Sequence, residues 1–296
     1  MVTADVMRAW WLAARPPSLP ASIGPVLVGN ALAARDGSFS LPVFLATLAA
    51  AVLLQIGANY ANDVFDYLKG ADRNRLGPLR VTQSGLLSVQ QMLIGTATVL
   101  ALAALIGVYL VTVGGWPILA VGALAIICAV AYTAGPLPLA YHGLGDLFAF
   151  LFFGVIAVTG SYYLQTAALT WLAFLASLPN ACLATCIIIV NNLRDIDTDR
   201  SANKRTLAVR IGDRPTRIEY AALMLAAYLV PLALFVAGVS SSGWLLLPLV
   251  SAPAAFVLVR DLWCTPRSPA LNPILGRTAR LDLIFSALFA VALLLS

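Results

Sequence analysis

Charge is what this chain has least of. Only 10% of its 296 residues are Asp, Glu, Lys or Arg, against 61% hydrophobic, and the mean hydropathy is +0.91. Soluble domains carry about 25% charged residues, so a soluble globular protein is excluded. Histidine is nearly missing too: His142 stands alone, which excludes His-based triads and His-rich metal centres. The four cysteines, Cys128, Cys182, Cys186 and Cys264, are scattered. Cys182 and Cys186 lie one helical turn apart, but with apolar neighbours and no His nearby they read as packing residues rather than a metal pair. The chain has neither a G-x-S-x-G elbow nor a P-loop. Its net charge of +5 follows mostly from the membrane topology below, so nucleic acid is not expected as a partner.

What the chain does have is long apolar runs separated by short polar stretches. These predict one all-α transmembrane domain over 1–296 rather than a barrel or two domains. Nine segments read as spans: 19–34, 41–62, 88–112, 116–134, 145–165, 170–192, 217–238, 243–260 and 279–296. If the N-terminus is cytoplasmic, every Lys and Arg except Arg35 falls on the cytoplasmic side, a positive-inside signal. Residues 1–17, with Arg8, Trp10, Trp11 and Arg15, read as an interfacial helix rather than a cleavable signal peptide. Its rings would sit at headgroup level and its bases would face anionic lipid.

Two apolar runs end in acids. "NDVFDYLKGAD" (62–72) follows one and "NNLRDIDTD" (191–199) follows another, and they hold six of the 13 acidic residues. Both fall at cytoplasmic ends, of the second and sixth predicted spans, and both are followed by bases, which suggests an internal repeat. If the helices continue through the acids, Asn59, Asn62, Asp63 and Asp66 share one stripe, and Asn192, Asp195 and Asp199 another. Asp197 is rotated about 200° from Asp195 and drops out. Two stripes of Asp and Asn without thiolate or imidazole make an all-oxygen site for a hard cation, best Mg²⁺. Lys69, Arg73, Arg75 and Arg80 follow the first stripe; Arg200, Lys204, Arg205 and Arg210 follow the second. Acids that hold metal beside bases that grip oxyanions suit a diphosphate. Ordinary charged loops would explain the bases but not carboxylates in register at the ends of apolar helices, where each costs about 2.5–3.5 kcal/mol on insertion scales.

A diphosphate site in an apolar bundle implies a ligand with an anionic head and an apolar tail, such as a polyprenyl diphosphate. Ionising its allylic C–O bond leaves a cation that aromatic faces stabilise. Residues 132–165 supply Tyr132, Tyr141, Tyr162 and Tyr163 with several Phe. Tyr132 and Tyr141 are candidates to face the pocket. Asp146 opens the fifth predicted span, either as a helix N-terminal acid or as a substrate contact.

"NDVFDYLKGAD", "RLGPLRVTQSG", "YHGLGDLFAFLFFG" and "NNLRDIDTDR…KRTLAVRIG" together resemble the UbiA-type intramembrane prenyltransferases, within them the 1,4-dihydroxy-2-naphthoate branch. The resemblance implies a nine-helix bundle that uses Mg²⁺ to move a prenyl chain from its diphosphate to an aromatic acceptor, with decarboxylation when the acceptor is the naphthoate. It implies metal-binding roles for Asp63, Asp66, Asp195 and Asp199. It places Asn62, Lys69, Arg80, Lys204 and Arg205 around the diphosphate; Asn59, Tyr132, Tyr141, Asp146 and Asn192 remain the candidates for the substrate pocket from the stripes and aromatics above. Where the wider family pattern has a third Asp this chain has Gly70, followed by Asp72, which takes a metal or catalytic role. Asn203 replaces a common Gly and is expected to keep a left-handed turn. The competing readings are the same fold with 4-hydroxybenzoate or homogentisate as acceptor, a transporter, and a lipid-binding scaffold without turnover.

Overall fold

A computed structural model describes residues 2–72, 76–240 and 242–296. Within them the chain is helical: α1 (Val2–Ala14), α2 (Pro20–Arg35), α3 (Leu41–Leu68), α4 (Val89–Gly114), α5 (Trp116–Ala131), α6 (Gly145–Thr166), α7 (Trp171–Arg194), α8 (Ile196–Ser201), α9 (Leu207–Ile211), α10 (Asp213–Val236), α11 (Gly243–Cys264) and α12 (Asn272–Leu294).

The helix boundaries follow local chemistry. A capping box opens α4: Ser88 Oγ accepts the Gln91 N–H at 3.2 Å, and the Gln91 amide oxygen accepts the Ser88 N–H at 2.8 Å. Thr170 caps α7 through the Ala173 N–H. Gly115, at φ 71, breaks α4 from α5, where Pro117 sits in the first turn.

The expectation of nine spans is corrected to six. Among the described helices, α3, α4, α6, α7, α10 and α11 are long and apolar enough to cross a membrane. α2 and α5 have 16 residues each, short of the roughly 20 that a hydrocarbon core requires. α12 has the length but carries Arg277, Arg280 and Asp282 along it. The chain is an all-α multi-pass membrane protein. The assignment of bases to one side rested on nine spans and loses that footing.

α7 is the centre of the bundle: 78% of its apolar window is buried, against 22–33% for the other five. Its Leu183, Cys186, Ile189, Val190 and Leu193 join Phe285 and Phe289 of α12 and Tyr220 and Met224 of α10 in the main core. Cys182 and Cys186 are both buried there, as packing predicts. Around Leu151–Ile156, α6 widens into a π-turn, a feature that recurs beside functional sites. Gly154 lets this turn lie directly on α7, because a Cβ there would collide with Ala181.

Candidate active site

Both acidic stretches close with the same backbone device. At the end of α3 the Ala71 N–H reaches back to the Asp66 carbonyl at 2.9 Å, with Gly70 left-handed at φ 73. After α8 the Lys204 N–H reaches the Asp199 carbonyl at 2.8 Å, with Asn203 at φ 57. These are Schellman closures, and the left-handed turn expected at Asn203 is present. The helices differ in how they arrive. α3 runs unbroken through Asp63 and Asp66, whereas α7 ends at Arg194 and Asp195 forms the joint to α8.

The two turns meet. Lys204 Nζ lies 3.7 Å from Asp66 Oδ2 and 3.6 Å from Asp199 Oδ1, so one ammonium bridges the two stretches. Arg80 arrives from the loop after α3. It lies 3.4 Å from Asp66, 3.5 Å from Asp72 and 2.5 Å from Asn62 Oδ1. The Tyr141 hydroxyl donates to Asp66 Oδ1 at 3.0 Å. Its ring lies under two ammonium groups, Lys69 at 4.6 Å and Lys204 at 5.6 Å from the centroid, within cation–π range. Lys69 also donates to the Thr133 carbonyl at 2.7 Å.

Burial dominates the electrostatics of this cluster. Burial, reinforced by the charges of Asp195 and Asp66 and opposed by Lys204, pushes the Asp199 carboxyl up to about 6. Its Oδ2 is buried without a hydrogen-bond donor. Among the described residues, no group of three acidic, His or Cys side chains encloses an ion by itself. A hard cation fits at the point where Asp66 and Asp199 already share an ammonium, provided that ligand oxygens and water complete its shell. Burial, with neighbouring carboxylates, also raises Tyr132 and Tyr141 well above an ordinary phenol. Both stay protonated at neutral pH and offer π-faces rather than bases. Lys69 is lowered by burial, with Asp66 opposing.

Below the charged cluster opens a cavity of about 1030 Å³. Asn59, Asn62, Asp66, Asp72, Arg80, Tyr132, Asn192, Asp195, Asp199 and Lys204 form its polar part. Arg15, Gln55, Asn191 and Thr198 add to it, and the larger, apolar part comes mainly from α3, α4, α5 and α6, with Phe148, Phe152, Phe153 and Ile156 among its walls. Gly107, Gly122 and Gly160 line it with open space where a Cβ would stand.

The UbiA prenyltransferase family model matches residues 22–272. The chain belongs to the UbiA prenyltransferase family. It is 38% identical over 296 residues to the 1,4-dihydroxy-2-naphthoate octaprenyltransferase of Escherichia coli (strain K12), covering 98% of this chain and 96% of that one. It is 37% identical over 284 residues to the protein of the same name from Mycobacterium tuberculosis, covering 96% of each. Its fold is similar to the solved structure of a UbiA homolog from Archaeoglobus fulgidus bound to GPP and Mg²⁺. That match has a TM-score of 0.65 at 16% identity, over 97% of this chain and 100% of that one.

Within this UbiA fold, several residues singled out in the sequence point elsewhere. Asp63 turns away from the cavity, and its two oxygens accept the N–H groups of Val81 (3.2 Å) and Thr82 (3.0 Å). It thereby fixes the loop that delivers Arg80. Arg205 is exposed, and it is its backbone N–H that bonds, to the Tyr141 carbonyl at 3.1 Å. Asp146 is buried behind Asn192, whose amide lies 3.5 Å from it. Asp197, set aside by its rotation from Asp195, is at the surface with Arg267. Arg73 and Arg75 lie outside the described residues.

Two further residues were not anticipated in these roles. Arg194, almost wholly buried, chelates Asp195 at 2.7 and 2.5 Å and ties it to Asn191 and Asn272. Its place beside the acid in "NNLRDID" was the available signal. Arg15, expected at the lipid surface, lines the cavity and donates to Asn62 Oδ1 at 2.9 Å.

Proposed function

We propose that this UbiA-family protein transfers a polyprenyl chain from its diphosphate to 1,4-dihydroxy-2-naphthoate, with loss of the carboxyl group as CO₂, giving the demethylmenaquinol skeleton. The observation that carries this reading is the junction of the two acidic turns through Lys204, set over a cavity whose wall is mostly apolar. An anionic head and a long apolar tail are the ligand such a site accommodates. The names of the relatives from E. coli and M. tuberculosis support the naphthoate as acceptor.

In this reading Asp66, Asp195 and Asp199 hold Mg²⁺, with Asp72 acting through Arg80 and Asp63 through the loop it anchors. Bound there, Mg²⁺ would offset charge on the departing diphosphate. Arg80, Lys204, Lys69 and Asn62 bind the diphosphate oxygens and hold the allylic C–O bond at the mouth of the apolar tunnel. Arg205 stands at its outer edge. As that bond breaks, its electron pair leaves with the diphosphate. The phenol ring of Tyr132 and the phenylalanines of α6 shield the allylic carbon from water and face its positive charge. The ring carbon bearing the carboxylate attacks, and the electrons of the C–CO₂ bond restore aromaticity as CO₂ departs. Asn59, Asn192 and Asp146 support the walls around the acceptor. The membrane is the source of the lipid substrate, and the active site faces the cytoplasm at the inner membrane, as does the N-terminus.

The test is direct. Purified protein with Mg²⁺ and a polyprenyl diphosphate is offered 1,4-dihydroxy-2-naphthoate or 4-hydroxybenzoate, and products are identified by mass. A decarboxylated prenyl naphthoquinol formed with the first acceptor only, and only with Mg²⁺, is the expected result. Product from 4-hydroxybenzoate alone would overturn the acceptor assignment.

A further inference from the structure

The N-terminal arm forms part of the cavity wall, which Arg15, Pro16, Pro17 and Ser18 line. α1 lies against α3, where the rings of Trp10 and Tyr60 are 5.3 Å apart and the Tyr60 hydroxyl donates to the Trp10 carbonyl at 3.2 Å. The arm is then caught by amides of α3. Asn59 donates to the Ala14 carbonyl at 2.9 Å and to Ser18 Oγ at 3.0 Å, and Gln55 reaches Ser18 Oγ at 3.3 Å.

Between these two catches stands Arg15, at φ 51 and ψ 65. That left-handed conformation is unfavourable for any residue with a Cβ, and a plain link would use glycine. The turn instead carries a guanidinium and aims it at Asn62, 2.9 Å from Oδ1. Arg80 NH2 lies 2.5 Å from the same oxygen. Two guanidinium groups thus converge on one neutral amide oxygen at the cavity wall. An oxyanion beside Asn62 would lie within reach of both forks, whose planar geometry matches its several acceptor oxygens.

We infer that Arg15 is an oxyanion-binding residue of the cavity, delivered by the docked N-terminal arm. The inference rests on the prenyl-transfer reading of the cavity. In that reading both substrates are oxyanions, one a diphosphate and the other an aromatic carboxylate.

The experiment uses the full chain in detergent with Arg15→Gly, Arg15→Gln and Arg15→Lys. It records the thermal midpoint, the binding of geranyl diphosphate with Mg²⁺, and the KM for each substrate. Arg15→Gly relieves the left-handed strain, so it should melt no lower than the parent, while the KM for an anionic substrate rises by about tenfold or more. Arg15→Gln should lose as much, and Arg15→Lys should recover part of the loss. A rise for the diphosphate, with weakened geranyl diphosphate binding, assigns Arg15 to that group; a rise for the acceptor alone assigns it to the carboxylate. Unchanged binding and unchanged KM for both substrates in a folded Arg15→Gly protein would overturn the inference and leave Arg15 as a backbone link. No prenylated product from the parent protein with Mg²⁺ and either acceptor would instead remove the prenyl-transfer reading itself, whatever the Arg15 variants do.

Discussion

At the end of α3 the Asp66 carbonyl accepts the N–H of Ala71, and after α8 the Asp199 carbonyl accepts the N–H of Lys204. The two turns superpose in register: Asn59 corresponds to Asn192, Asn62 to Asp195, Asp66 to Asp199, and Gly70 to Asn203. Within that shared frame the side chains are used differently. The first turn closes on a methyl group and the second on an ammonium, which then reaches across to Asp66. The first has a neutral amide at Asn62 that receives two guanidinium groups; the second has a carboxylate at Asp195 held by one, Arg194. The first also carries an extra acid, Asp63, which anchors a loop, where the second has buried Ile196. The site belongs to neither half, because Lys204 from one balances Asp66 from the other.

The sharpest break in that pairing is neutralising the two facing acids. Asp66→Asn and Asp199→Asn should each lower turnover by roughly 10²–10³-fold or more, since each removes a carboxylate that would hold the cation facing the departing diphosphate. Product formation in membranes with matched protein levels checks this. Lys204→Ala, which makes the second turn like the first, should cost about 10–100-fold, chiefly in the KM for the prenyl diphosphate.

Asp63→Ala should act on stability instead. Leaving two buried N–H groups without an acceptor costs about 2–4 kcal/mol, visible as a lower thermal midpoint and a reduced yield of folded protein.

A smaller effect tests the burial of Asp199. Its carboxyl is raised to about 6, so it takes up a proton as pH falls through that value, whereas an ordinary Asp stays ionised to about 4. Protonation removes a cation ligand. The Mg²⁺ concentration needed for half-maximal activity should therefore climb between pH 7 and 5.5, and Asp199→Asn should flatten that climb in its residual activity.

The mildest effect lies in the tunnel. Gly122→Leu and Gly160→Leu place side chains into open space. They should shorten the longest prenyl chain accepted while sparing geranyl diphosphate, as product mass would show.

Much of this comparison was legible in the sequence because it is local. Helical spacing grouped Asn62 with Asp66 and Asp195 with Asp199, and the bases after each stripe pointed to Arg80 and Lys204. What spacing could not separate is Asp63 from Asp66. Both lie in register with Asn59 or Asn62, and only the fold of the distant Val81–Thr82 loop turns one of them inward. Arg15 was hidden for the same reason. Its amphipathic surroundings, Trp10 and Trp11, suit a lipid surface, and its contact with Asn62 exists only once the arm docks on α3. Tyr141 was legible as an aromatic near the site, but its bond to Asp66 spans 75 residues. The span count failed on physical length and charge. Apolar composition marks α2 and α5, but their 16 residues fall short, and the apolar second half of α12 conceals Arg277, Arg280 and Asp282 before it.

The central claim is that one acid from each turn, Asp66 and Asp199, makes ligand binding depend on a divalent cation, while Asp63 does not. The measurement is geranyl diphosphate binding across an Mg²⁺ titration in Asp66→Asn, Asp199→Asn and Asp63→Asn, each verified as folded. The account predicts that Mg²⁺ dependence is lost in the first two and kept in the third, whose amide oxygen still accepts from the loop. Mg²⁺-dependent binding that survives in Asp66→Asn and Asp199→Asn but disappears in Asp63→Asn would contradict it.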